Sequence, residues 1–307
     1  MMADHVLSDL QHGKAECRVV KVDRASEVHV LHDLNVTTQL RGDFATAYTE
    51  GDNTHVHATD TQKNSVYALA REHGITSPEA FLLVLAEHWA AQPWVTGTWF
   101  AAEQFTWERL AANGHSFVRS GQDTRTAWVQ TYGSVDGEAF VLGGLKDLVV
   151  LKSTGSEFHG FPRDRFTTLA ETDDRILATS VSATWRYGSR QARPSQEQAR
   201  STEDIDFDAA YDAVRAALLD AFATTHSLAL QQTIHAMATA ALDACADIDE
   251  IRIECPNKHH FLVDLAPFGL DNPGEVFFAA DRPYGLISAT VTRSGAEAEP
   301  RAWVGVG

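Results

Sequence analysis

Apolar and polar positions along this chain switch between a period of two and a period of three to four. Gly13 to Val22 reads as a short basic and apolar opening strand. Val28, Val30, Leu34, Val36 and Leu40 share one parity, the mark of a longer strand with one apolar face. After the polar turn Glu50-Gly51-Asp52-Asn53-Thr54, the residues Val66, Leu69 and Ala70 fall at helical spacing. A helix therefore starts near Thr59 or Asp60, where free backbone amides can receive an anionic or carbonyl oxygen. Thr76-Ser77-Pro78-Glu79 predicts a second helix to about Gln92, with Pro near the first helical position and Glu three residues after Thr as in a capping box. Two β-rich segments follow, Val95 to Leu110 and His115 to Tyr132, joined by Ala112-Asn113-Gly114, a hairpin signal.

The second half repeats this order without visible residue similarity. Glu138 to Ser153 and Arg175 to Tyr187 are strand candidates, and in the latter Leu177, Thr179, Val181, Ala183 and Trp185 take one parity. A polar loop around Gln191 to Glu203 leads to Asp206, a cap for a helix whose Phe207, Tyr211, Val214, Leu218 and Ala221 lie on one face. Leu230, Ile234, Met237, Ala241, Ala244 and Ile248 mark another helix. Ile251 to Leu265 and Glu275 to Thr292 return to strand. Each half reads ββααββ. Helices bunched between strand pairs argue for an α+β class, with antiparallel sheets and helices on one face, rather than a doubly wound fold. The duplication divides the chain at Gly133 to Gly137, giving domains over 1–135 and 136–295 and a mobile tail over 296–307. Open sheet edges are a liability that closure against other subunits into a barrel removes, so an oligomer is expected.

The chain has 307 residues, with 42 acidic against 25 basic side chains and a net charge of -17. That balance opposes nucleic-acid binding, which needs clustered Lys and Arg to release counterions. An anionic small substrate must be drawn in by local cations against the average field. No apolar run is long enough to span a bilayer, and Met1 to Gln11 lacks the apolar core of a secretory signal. Cys17, Cys245 and Cys255 are odd in number and widely spaced, which predicts a reduced, cytoplasmic protein without disulfides or a thiolate metal site. The final residues are not a peroxisomal tripeptide.

Candidate chemistry concentrates in Cys255-Pro256-Asn257-Lys258-His259-His260-Phe261, an amide, an ammonium and two imidazoles inside a sheet-forming run. Strand alternation would turn Asn257 and His259 one way and Lys258 and His260 the other.

The chain resembles the urate oxidase (uricase) family over nearly its whole length. The resemblance is carried by Gly13-Lys14, Ala58-Thr59-Asp60 with Lys63-Asn64, and Gly144-Leu145-Lys146-Asp147. It continues through Leu151-Lys152-Ser153-Thr154-Gly155-Ser156, Phe158, Gly160-Phe161, Arg163-Asp164 and Thr167-Thr168-Leu169. Asp174-Arg175-Ile176-Leu177, Gln231 and Pro256-Asn257-Lys258-His259 complete it. It implies tandem tunnelling-fold (T-fold) domains in a homotetramer, with active sites between subunits. It also implies oxidation of urate by O2 and water to 5-hydroxyisourate and hydrogen peroxide in purine degradation, with neither metal nor organic cofactor.

Residue by residue, the resemblance makes Lys14, Thr59 and His259 a catalytic proton relay, in which a desolvated amine draws a proton through the Thr hydroxyl. Arg175 and Gln231 would clamp the purine edge, the guanidinium through two parallel bonds. Phe158 would stack on the ring, while the backbone amides of Leu230 and Asp60 contact it. Asn257 with Thr59 would hold O2 and then water above the urate plane. His260 should point away. Two departures from the family pattern stand out, His159 after Phe158 and Asp173 beside Asp174. Two other readings compete. A metal-dependent pterin- or purine-type T-fold enzyme would use His55-x-His57 as a metal pair on one strand face. A non-enzymatic purine-binding protein would need Phe158, Arg175 and Gln231 but not the relay.

Overall fold

The computed structural model describes residues 5–121, 123–133, 137–188, 205–280 and 282–306. It divides into two compact units, the first comprising 1–144, 186–209 and 297–307 and the second 145–185 and 210–296. The polar loop expected over Gln191 to Glu203, and most of the expected Gly133 to Gly137 boundary, lie outside the described residues.

In unit 1, β1 (His12–Asp23), β2 (Val30–Gly42), β3 (Val95–Gln104) and β6 (Thr124–Tyr132) pair antiparallel in that order. The next neighbour is β7 (Glu138–Lys152), which runs on into unit 2. The apolar parity of β2 is the buried parity, with Leu34, Val36 and Leu40 fully buried. Against this sheet α2 (Thr59–Glu72) packs on β1, and α3 (Pro78–Ala90) on β3 and β6. A short helix, α1 (Ala45–Thr49), has no counterpart in the sequence pattern. The expected hairpin exists as a small ribbon of β4 (Trp107–Arg109) and β5 (Phe117–Arg119).

Unit 2 carries the strand order β7, β8 (Leu177–Tyr187), β9 (Ile248–Asn257) and β12 (Gly285–Thr292), with α5 (Leu230–Ala244) on β9 and β12 and α4 (Phe207–Thr224) preceding it. Leu177, Thr179, Val181, Ala183 and Trp185 are all buried, as their parity requires. Asp206 caps α4 by accepting from the Ala209 amide at 2.9 Å. The two long C-terminal strands expected from sequence are each broken. β9 ends at Asn257, and β10 (His260–Leu262) leaves it to pair with β11 (Phe277–Ala279) in a separate ribbon. Among the described residues no helix is long and apolar enough to cross a membrane.

Two local differences have clear causes. The cap of α3 is Ser77, whose hydroxyl accepts from the Ala80 amide at 3.1 Å, because Glu79 is committed elsewhere. Its carboxylate is fully buried and accepts from Arg125 Nη2 at 2.7 Å, while Arg125 Nη1 reaches Asp208 at 2.5 Å. The residues beyond Gly295 include a 3-10 turn, Pro300–Trp303, that buries Ala302 and Trp303 against Phe140 and Leu142. Gln130 holds that turn by donating to the carbonyls of Ala302 and Val304, each at 2.9 Å.

Burial pushes Glu79 up to about 7 against the pull of Arg125. Its contribution to stability is therefore full below the ordinary carboxylate range and is lost as pH rises through about 7. Arg125→Met should cost about 3–5 kcal/mol at pH 8, where an ionised Glu79 would be left uncompensated. The loss should be smaller at pH 5, where the carboxyl is protonated. Urea denaturation at the two pH values measures the difference, and equal losses would contradict the assignment.

Candidate active site

Within unit 1 the site residues gather where β1 passes the start of α2. Gly13 faces Gln39 on β2, and a Cβ there would lie 1.7 Å from the Thr38 carbonyl oxygen, so the strands can close at this point only around glycine. The next residue is Lys14. Its amide donates to Thr38 Oγ1 at 3.4 Å, and that hydroxyl donates to Gln62 Oε1 of α2 at 3.0 Å. Both Thr38 and Gln62 are fully buried. One hydroxyl thus ties the Lys14 backbone to the helix that carries Thr59. Just beyond Lys14 the register slips, with Glu16 at a φ of 56°, a bulge of the kind that re-aims neighbouring side chains.

Thr59 and Asp60 are the first two residues of α2 and both are exposed. The amides of Thr61 and Gln62 bond the Ala58 carbonyl, and Ala58 provides no side-chain cap. The first-turn amides of Thr59 and Asp60 are thereby left facing outward for an oxygen ligand. The Asp60 carboxylate pairs with Lys63 and receives Asn64 Nδ2 at 3.5 Å. It is held below the usual carboxylate range by the Lys63 hydrogen bond first, then by Lys63 charge, with Lys14 adding to it. So Asp60, Lys63 and Asn64 form one turn of linked polar groups beside Lys14.

The His55-x-His57 pair does not lie on a strand: residues 54–58 are turn and coil. Both rings stack on Trp94 with centroids 5.4 Å away, and the His57 carbonyl lies 3.2 Å from His12 Nε2. Among the described residues no group of three His, Cys, Asp or Glu is placed to hold a metal ion. A cavity of about 560 Å³ beside α3, lined in part by Ser77, Glu87 and Asp208, contains none of the expected site residues.

Within unit 2 the central feature is Arg175, just before β8. Its guanidinium carbon lies 5.1 Å from the centroid of Phe158, whose ring also stacks on Phe161 at 4.9 Å and 13°. Arg175 Nε is buried with no hydrogen-bond partner, and among the described residues Arg175 makes no ion pair. Burial weakens its hold on the proton, and no neighbouring acid offsets this. The adjacent Asp174 is engaged elsewhere, accepting from Thr154 Oγ1 at 2.6 Å, Gly155 N at 2.9 Å and Ser156 N at 3.3 Å. Asp173 pairs with His159 at 3.0 Å, so the two departures from the family pattern meet each other.

The same loop positions the other expected contacts. Phe158 bridges to Thr172, and Ser156 to Ser227, both serines being fully buried. Three residues past Ser227, α5 begins with the buried Leu230 and the exposed Gln231. Asp174, the Ser156–Ser227 bridge and Phe161 were not singled out by sequence reasoning as parts of the site, although the motif Ser153-Thr154-Gly155-Ser156 contains their partners. Asn257 and His259 lie at the end of the sheet where β8 begins: the Lys258 amide donates to the Ala178 carbonyl at 2.8 Å and Thr179 Oγ1 to the Pro256 carbonyl at 3.0 Å. Because the strand is interrupted at Lys258 and His259, simple alternation does not govern these side chains. His259 stacks on Phe261 at 5.9 Å, while His260 Nδ1 sits 3.0 Å from the Lys258 carbonyl. This half carries a cation on an aromatic face at Arg175, the amides at the start of α5, and a carboxamide and an imidazole after β9.

Known proteins match the chain over nearly its whole length. A family model described as Uricase matches residues 10–130 and 141–288. The chain is 55% identical over 299 residues to the uricase of Arthrobacter globiformis, covering 97% of this chain and 93% of that protein. It is 33% identical over 296 residues to the uricase of Dictyostelium discoideum, covering 94% and 98%. The crystal structure of the Arthrobacter globiformis uricase superposes with a TM-score of 0.90 at 54% identity, over 98% of this chain and all of that one. A Bacillus sp. TB-90 urate oxidase mutant, at 24% identity and a TM-score of 0.74 over 92% of this chain, shows likeness of fold alone. The α+β antiparallel architecture expected from sequence is that of these T-fold structures, and the described strands do not close into a barrel within one chain.

Gly13→Ala tests the close approach that places Lys14. It should destabilise the chain by about 1–3 kcal/mol through overpacking against the β2 backbone, read as a fall in the urea midpoint. An unchanged midpoint would show that the strands have room to part.

Proposed function

Because the chain belongs to the uricase family, we propose that it oxidises urate with O2 and water to 5-hydroxyisourate and hydrogen peroxide, using no metal or organic cofactor. The observation that carries the reading is the half-buried Arg175, stacked on Phe158 and without a counter-ion among the described residues. An unneutralised guanidinium in that setting favours a planar anion able to accept two parallel bonds. Gln231 would complete the grip on the purine edge, with Phe158 against the ring and the amides of Leu230 and Asp60 on its oxygens.

Lys14, Thr59 and His259 would form the proton relay. Lys14 takes the substrate proton through the Thr59 hydroxyl, and His259 carries protons between that pair and water. The deprotonated purine gives up two electrons to O2, water supplies the oxygen added to the ring, and the reduced O2 leaves as hydrogen peroxide. Asn257 and Thr59 hold O2 and then water over the ring, so the protein contributes alignment and charge placement.

We place the complete site between subunits of a homotetramer, with Lys14, Thr59 and Asp60 from one subunit and Arg175, Gln231 and His259 from another. Exposed apolar side chains of unit 2 support association: Phe268 is 74% exposed, Phe278 63% and Leu286 59%. Three buried free thiols fit a reducing, cytoplasmic setting.

Chelator-treated protein should consume urate and O2 in equal amounts. Urate that binds without O2 uptake would leave a purine-binding protein, and activity that returns only with added metal would favour the metal-dependent enzyme. Lys14→Met should lower kcat by about a hundredfold or more while urate still binds. Arg175→Ala should instead raise KM by about tenfold or more. Exchange of these two signatures would overturn the division of roles.

A further inference from the structure

Two carboxylates directly precede Arg175, yet neither neutralises it. Asp173 is held by His159. Asp174 lies one residue away on the same stretch of backbone, and a free carboxylate there would compete with any anion for the guanidinium. Its two oxygens are occupied by other donors: Oδ1 by the Gly155 and Ser156 amides, Oδ2 by the Thr154 hydroxyl at 2.6 Å, and the Arg175 backbone amide, not its guanidinium, adds to the hold on the carboxylate. Its own backbone carbonyl accepts from Thr172 Oγ1 at 2.7 Å, which fixes the chain direction into Arg175. The loop that presents Phe158 is thus the loop that occupies the acid.

We infer that Thr154 is a positioning residue for substrate affinity: by holding Asp174 Oδ2 against the 154–156 turn, it keeps the carboxylate beside Arg175 from taking the place of the substrate anion. This rests on the reading of Arg175 as the purine clamp. Gly155 and Ser156 give only backbone donors, which no side-chain change removes. Thr154 is the one side chain in the turn that donates to Asp174. Without that hydroxyl, Oδ2 loses a short charge-assisted bond and becomes available to the guanidinium one residue on. The expected penalty falls on binding, since the competition exists before substrate arrives and ends once it is bound.

The test is a cycle of Thr154→Val, Asp174→Asn and the double variant, with KM and kcat for urate measured on the full-length protein and thermal midpoints recorded. Thr154→Val should raise KM by about tenfold with kcat within about twofold. Thr154→Ser, which keeps the hydroxyl, should restore the wild-type value. Asp174→Asn keeps an acceptor for the two amides but removes the competing charge, so it should raise KM by less than about threefold. Adding it to Thr154→Val should bring KM back down to the Asp174→Asn level. A purely structural role predicts the opposite, a double variant worse than either single change. A double variant with KM at or above that of Thr154→Val overturns the inference, as does an unchanged KM in Thr154→Val. Should the valine variant fail to fold, Thr154→Ala supplies the same arm. A wild-type chain without urate oxidation overturns the functional reading and this inference with it, whereas wild-type activity with additive effects overturns this inference alone.

Discussion

A positive charge kept half-buried with no paired carboxylate among the described residues is the constraint on which the second unit is built. Removing a guanidinium from water is unfavourable unless something replaces the lost hydration. Arg175 recovers part of that through the face of Phe158, a contact of about 0.5–2 kcal/mol, and leaves the rest unmet. Such a group persists only where the surroundings fix it. Here the fixing is done by backbone: the Phe158 and Thr172 amides exchange bonds, Ser156 bridges Ser227, and Asp174 closes the turn between them. The Ser156–Ser227 bridge also ties this loop to the residues that lead into α5 and its first residues, Leu230 and Gln231.

The first unit solves a different problem, that of holding the backbones that carry Lys14 and Thr59, on separate elements, against each other. Its solution is proximity of backbones. Gly13 lets β1 approach β2 more closely than any side chain would allow, and Thr38 then bonds Gln62 across to α2. Neither Thr38 nor Gln62 has any chemical part in the proposed reaction. Their burial makes the linkage costly to break, because a lost partner would leave a polar group stranded in the core.

Much of this was legible in the sequence, and the limits of legibility are physical. Period-two runs such as Leu177 to Trp185 and the helical stripes before Ala244 gave the elements, because burial on one face leaves a mark at every second or every third to fourth residue. The order of elements gave the α+β class. What the pattern could not reveal was where strands break. Asn257 to His260 is a polar stretch between the sheet-forming runs of Ile251 to Cys255 and Phe261 to Leu265, which left one strand plausible, but the chain changes partner there from β12 to β11, and pairing is set by distant residues. The His55-x-His57 spacing suggested ligands on a strand face; Trp94, nearly forty residues later, turns both rings into stacking groups instead. Glu79 looked like the reciprocal member of a cap until Arg125 reached it from β6. The resemblance named Arg175, and two acids directly precede it in the chain, a pattern that by itself favours a local ion pair. In three dimensions Asp173 pairs with His159 and Asp174 with Thr154 rather than with the Arg175 guanidinium.

Charge distribution links these points. A chain with a net charge of -17 repels an anion at long range, yet screening at physiological salt limits that repulsion to within about 8 Å of the surface. Affinity must then come from the last contacts, where the local field is set by individual groups. One guanidinium without a paired carboxylate, held on the face of Phe158, can reverse the sign of that field locally, provided nearby carboxylates are spent on other donors. An acidic protein can therefore bind an acidic substrate without becoming basic overall. What it needs is strict control over which of its carboxylates remain free.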